Sequence, residues 1–176
     1  MDKKGFDMNV EMIQTLFDYH YARHGQMWGS IMQLSERDFI SEGAYSHGSL
    51  RNQLVHLIDD DMSWVSFLES KAYTHLQAED FETRDRLFEI FEQTEAYVLE
   101  FVNKLDDAIL QKSYHWQPSA VPHPQEITGL QVLVHVVNHG TDHRAQIMRM
   151  LQDFGVPTFD QDLMAYLWQS GKTKAT

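Results

Sequence analysis

The segment LQVLVHVVNHGTDHRAQIM places His135, His139 and His143 four residues apart. Residues four apart share one face of a helix, so a consecutive pair can turn two imidazoles toward one point. Two helical histidines hold one zinc in this way in H-E-x-x-H segments. Gly140 stands here where that motif carries its glutamate. At about 100° per residue, the apolar face of this helix is drawn by Val132, Leu133, Val136, Ile147, Met150, Leu151 and Phe154. His139 and His143 fall in the middle of that face, whereas His135 lies roughly 40° to 80° to one side, with Asp142, Gln146 and Asp153. Imidazoles set in an interior stripe must be hydrogen-bonded, metal-bound or held neutral, because burying an unsatisfied polar group is costly. The spacing H-x3-H also arises by chance, so a structural pair and a metal-binding pair both stay open.

A second segment, LVHLIDDDMSW, sets His56, Asp60 and Trp64 in an i, i+4, i+8 row at the border of another apolar stripe. His56 could cross the interior to meet His139 and His143. Asp60 could then accept a hydrogen bond from an imidazole and fix its tautomer, the usual task of a carboxylate behind a metal ligand. Asp59 reads as part of a solvated acidic face. Asp61 falls inside the stripe, so either it is a buried carboxylate with a partner or the stripe is wider than drawn. The other histidines carry less weight: His20 and His24 share a face of the first helix, His47 caps a helix start and His75 lies in a loop. Each reads as structural or exposed.

These residues need helices to position them, and the periodicity supplies four. The first spans about Asn9 to Leu34, with Val10, Ile13, Leu16, Phe17, Tyr21, Met27, Trp28 and Ile31 at helical spacing. The second follows Ser46 or Ser49 and ends near Ser70, the third follows Thr83 and runs to about Leu105, and the fourth follows Thr128 and runs to Phe154. Gly155 then reads as the residue just past the end, and Pro157 blocks continuation. A short fifth helix over Asp160 to Gln169 folds back. The expected fold is all-α: a single domain over residues 1–176, an antiparallel four-helix bundle with a short C-terminal helix, whose sites are built from side chains facing its interior. The exception to the helical pattern is SYHWQPSAVPHPQEI, residues 113–127, expected as an ordered loop across one end of the bundle.

Composition narrows the chemistry. With no cysteine among 176 residues, neither a disulfide nor a thiolate site can form, so histidine and carboxylate must supply any ligand set. Against 26 acidic residues stand 14 basic ones, a formal charge of −12, which disfavours nucleic acid and anionic membrane as partners. No apolar run approaches the roughly 20 residues that span a bilayer, and MDKKGFDMNVEMIQ holds no secretory core. A cytoplasmic location is expected.

The motifs LVHLIDDDMSW and HVVNHGTDHRAQI, with LFDYHYARHGQMW and GVPTFDQDLMAYL more weakly, resemble the DinB family within the DinB/YfiT-like metalloenzyme superfamily. The resemblance covers nearly the whole chain. It implies a four-helix bundle, often dimeric, and a divalent metal held by His56, His139 and His143. It also includes two departures, His24 where the family usually has asparagine and Asp142 where a further histidine is frequent. Relatives include transferases and isomerases that use low-molecular-weight thiols, and proteins described as metal-dependent hydrolases.

From the residues and the resemblance together, the expected function is a metal-dependent transferase or hydrolase. Three neutral imidazoles bind zinc or nickel and leave a position open, as catalytic sites do. Water or a small thiol is the nucleophile, since there is no cysteine and no G-x-S-x-G elbow. Asp60 orients or acts as base, and Tyr114, Trp116 and Arg144 are candidates to touch a small-molecule substrate. A homodimer is expected. The alternatives are a metal-binding stress or sensor protein without turnover, and a bundle whose histidines are purely structural.

Overall fold

In a computed structural model, residues 10–117 and 121–172 are described. The expected helix start at Asn9, most of the N-terminal segment and Pro118 to Ala120 of the proline-rich stretch lie outside the described residues. The chain runs α1 (Val10–Ile31), α2 (Glu36–Ile40), α3 (Leu50–Leu68), a single 3-10 turn (Ala78–Asp80), α4 (Arg84–Asn103), α5 (Asp107–Gln111), β1 (Ser113–Trp116), β2 (Gln125–Thr128), α6 (Gly129–Asp153) and α7 (Leu163–Gln169). The four long helices are the four expected from periodicity. α1 packs on α4 and α6, and α3 packs on the same two, so the helices close a ring in the order α1, α4, α3, α6. Ile13, Phe17, Trp28, Leu54, Leu57, Leu87, Val98, Leu133 and Ile147 are among the side chains that fill it.

Capping residues set the boundaries. Ser49 accepts from the backbone N–H of Asn52, and Thr83 from that of Arg86. Thr128 and Gln131 form a reciprocal capping box at the start of α6. At its end Gly155 turns left-handed at φ 72°, while the N–H groups of Gly155 and Val156 bond back to Gln152 and Leu151. That pattern satisfies carbonyls the helix leaves open. The short α7 starts at Leu163 rather than Asp160 because the Asp162 side chain caps it by accepting from the N–H of Ala165. The segment before α7 lies along α1: Ser30 Oγ donates to Pro157 O at 3.0 Å and Tyr19 Oη to Gln161 O at 2.6 Å.

The stretch expected as a loop is instead an antiparallel hairpin, pairing Ser113 with Thr128, Tyr114 with Ile127, His115 with Glu126 and Trp116 with Gln125. Tyrosine, tryptophan and isoleucine favour extended chain, and strand alternation sends Tyr114 and Trp116 to one side. Tyr114 is buried with its ring 5.5 Å from Phe67, and the Trp116 ring lies 5.2 Å from Trp64. The hairpin is therefore fastened onto the C-terminal half of α3.

A buried polar network ties α1, α3 and α6 together. Asp61 Oδ2 accepts from His20 Nε2 at 2.9 Å and from Tyr21 Oη at 3.1 Å, so its place in the apolar stripe is that of a partnered buried carboxylate. Arg144 Nη1 lies 3.2 Å from His20 Nδ1, and since arginine only donates, His20 carries its proton on Nε2. Burial lowers the His20 pKa against the opposing pull of Asp61. The His20 imidazole is thus a neutral bridge between a carboxylate and a guanidinium. Gly140 makes room for it: a Cβ there would stand 2.2 Å from His20 Cε1.

Candidate metal centre

Along the seam between α3 and α6, the antiparallel helices bring His56 opposite His139 and His143. The Nε2 atoms of His56 and His139 face each other at 3.2 Å, and the rings of His139 and His143 are 4.2 Å apart. His135 stands one turn further along, its ring 5.6 Å from that of His139 and on the exposed side of α6. The helical-face separation of His135 from the other two matches this placement.

The second nitrogens of two ligand candidates, His143 and His139, face polar side chains. Gln53, wholly buried, presents its amide nitrogen 2.5 Å from His143 Nδ1, accepts from Ser46 Oγ and donates to Gln146 Oε1. Asp60 Oδ2 lies 3.2 Å from His139 Nδ1, but without the alignment of a hydrogen bond, so the pair is at contact distance and each atom lacks a bonded partner. Burial, followed by the charges of Asp61 and Asp59, raises the Asp60 pKa to about 7. His56, His139 and His143 are each lowered to about 4, by burial first and by neighbouring imidazoles second. All three are neutral near pH 7, the form in which an imidazole binds a metal.

One member of the cluster is new to the sequence reading. His47, on the exposed loop before α3, stacks on His56 at 4.3 Å between ring centroids. Its nitrogens, with those of His56 and His143, include one from each residue lying within 4.8 Å of one another, a group able to hold a metal ion. The helix start is capped by Ser49 and not by His47. Nothing in the residues around His47 marks it, since it owes its position to a loop.

A second group with ligand spacing, His20, His24 and Asp61, is fully buried. Both nitrogens of His20 are already engaged, by Asp61 and Arg144, so this group reads as the interior network. Of the candidate substrate contacts, Trp116 is 36 % exposed and lines a cavity with Trp64, Ile127, Gln131, Val132 and His135. Tyr114 is buried against Phe67 and does not line this cavity. Arg144 does not lie at an open edge: it is 0 % exposed, bonded to Thr141 and Gln161 and facing α1. One residue on from His143, a helix turns its next side chain about 100° away, which takes Arg144 from the α3 side to the α1 side. Asp59 is not merely solvated either, since it accepts from Tyr73 Oη, His75 Nδ1 and the Leu76 N–H and so anchors the loop after α3.

Comparison with known proteins agrees with this architecture. Protein DinB of Bacillus subtilis (strain 168) is 25 % identical over 175 residues, spanning 91 % of this chain and 96 % of that protein. A crystal structure of a DinB-like protein from Bacillus subtilis superposes with a TM-score of 0.59 at 11 % identity, covering 83 % of this chain and 97 % of the other. A DinB family member from Shewanella denitrificans gives 0.54 at 16 % identity, covering 90 % of each chain. The sequence matches the DinB family over residues 2–175, nearly its full length, and the chain belongs to the DinB family.

Proposed function

We propose that His56, His139 and His143 hold one divalent metal ion, with zinc and nickel the best fits, and that the protein is a metal-dependent hydrolase or thiol transferase acting on a small molecule. The observation that carries this is the meeting of the two Nε2 atoms at 3.2 Å. Two imidazole nitrogens this close are near enough to hold one ion between them, and His56 and His139 would supply them. Histidine donors without thiolate suit zinc, nickel, copper and iron.

When bound, the ion supplies Lewis-acid activation, bringing the pKa of a water or thiol nucleophile toward neutrality. The remaining work falls to the chain. Asp60 faces His139 Nδ1 and, once ionised, accepts its proton-bearing nitrogen, leaving Nε2 as the donor to the ion. Gln53 stands behind His143 with its amide nitrogen toward Nδ1, and it would hold a proton on that nitrogen only with the amide turned so that its oxygen faces Nδ1. As an alternative role, Asp60 would act as the base that takes a proton from an incoming nucleophile.

A second reading rests on His47. It has ligand spacing with His56 and His143 in a group that does not include His139, so either it takes the place of His139 or all four imidazoles close the site, the pattern of a structural rather than a catalytic ion. His47→Ala separates the two. The catalytic reading expects metal content to survive and turnover of thiol and ester substrates by the metal-loaded protein to persist. Loss of the metal with His47 would make His47 a ligand and remove the proposed site of His56, His139 and His143 alone.

A further inference from the structure

Beside the histidine cluster, toward the hairpin, lies a cavity of about 200 Å³ lined by Trp64, Trp116, Ile127, Gln131, Val132 and His135. Trp64 and Trp116 meet edge-on at 5.2 Å and 61°, forming two aromatic walls, and Ile127 and Val132 add aliphatic ones. His135 marks the side nearest the metal candidates: its ring lies 5.3 Å from Trp64 and 5.6 Å from His139. The cavity and the cluster therefore share a wall. Among the described residues, no lining residue is an acid, a lysine or an arginine. For scale, an apolar cavity of about 150 Å³ accepts benzene.

We propose that this cavity is the substrate's specificity subsite and takes an uncharged single aromatic ring, with the reacting group of the same molecule directed past His135 toward His139. The proposal rests on the metal-site reading for what happens to that reacting group, but not for binding of the ring. Offset and edge-on contacts favour aromatic guests between aromatic walls. An anionic ring finds no cation among the lining residues and would lose its hydration without compensation. His135, exposed and set apart from the ligand candidates on α6, becomes a positioning residue at the junction of subsite and centre. The hairpin then has a function, since β1 and β2 each supply one wall.

Calorimetric titration with benzyl alcohol, benzoate and glycerol, on the protein as purified and after chelation, tests this. Benzyl alcohol should bind saturably at a Kd of about 1 mM, the scale for a ligand of this size, with equal affinity in both preparations. Benzoate should bind at least tenfold more weakly and glycerol not at all. Ile127→Trp, which fills the cavity, and Trp116→Ala, which removes a wall, should each weaken benzyl alcohol at least fivefold while metal content stays at the wild-type level. The second variant keeps the test open if the first fails to fold. Absence of saturable binding, indifference to both substitutions, or tighter binding of benzoate would overturn the subsite. Binding by a chain that proves to hold no metal would support the subsite and remove only the metal reading.

Discussion

Gly140 and Gly25 offer the same substitution with opposite expected signs. Glycine inside a helix costs about 0.5–1 kcal/mol relative to alanine, so replacement by alanine should stabilise wherever the methyl has room. At Gly25, on the exposed side of α1, nothing stands within 4 Å of the added Cβ. At Gly140 the Cβ would meet His20 Cε1 at 2.2 Å, His20 Nδ1 at 2.7 Å and Arg144 Nη1 at 3.2 Å. The imidazole cannot yield freely, because its two nitrogens are held by Asp61 and Arg144 on different helices. Overpacking of this kind costs about 1–3 kcal/mol, and loosening one hydrogen bond to a charged group adds about 1.5–3 kcal/mol. After the helix-propensity gain is subtracted, Gly140→Ala should destabilise by about 1.5–5.5 kcal/mol, whereas Gly25→Ala should stabilise by up to about 1 kcal/mol. For a chain of this length the first shift corresponds to a fall in Tm of about 3–22 °C. Urea denaturation of both variants, with m unchanged, reads the two signs directly. A neutral or stabilising Gly140→Ala would refute the close approach of α1 to α6 and the bridging role of His20.

The pH dependence of stability follows from the lowered imidazoles. Between the ordinary histidine pKa of 6.5 and the folded values of about 4 for His56, His139 and His143, the unfolded chain binds more protons than the folded one. Stability of the metal-free protein should therefore be complete above about pH 6.5 and fall toward pH 4. Asp60, raised to about 7, opposes this in sign but is one group against three; a urea midpoint that is flat or rising between pH 6.5 and 4.5 would contradict the cluster's burial. Asp60→Asn should weaken metal affinity about 10- to 100-fold in competition with a chelator, and an unchanged affinity would remove Asp60 from behind His139. Tyr114→Ala should act on stability, lowering it by about 2–4 kcal/mol through lost packing against Phe67, and an effect on substrate preference alone would contradict its burial.

What the sequence made legible were features that act within one helix. The caps at Thr83 and Thr128, the stop at Gly155 and the apolar stripes are local, and they lie where the residues place them. The angular separation of His135 from His139 and His143 is likewise a property of one helix. Features formed between elements were not legible. The four-residue strands of the hairpin flank a proline-rich stretch that masks their pairing, and His47 reaches the cluster through a loop whose course no periodicity records. Asp61 could not be resolved because its partners stand on α1. One available signal went unused: a glycine in the middle of a long helix, where alanine would cost less, marks a close approach, and Gly140 points at His20 and Arg144 together.

Metal content of protein purified without a histidine tag tests the central claim most directly, measured by elemental analysis on wild type, His139→Ala and His135→Ala side by side. The facing Nε2 atoms of His56 and His139 predict about one zinc or nickel ion per chain in wild type, loss on His139→Ala and retention on His135→Ala. A wild-type protein with no bound metal after reconstitution, or one that keeps its metal on His139→Ala and loses it on His135→Ala, would contradict the account.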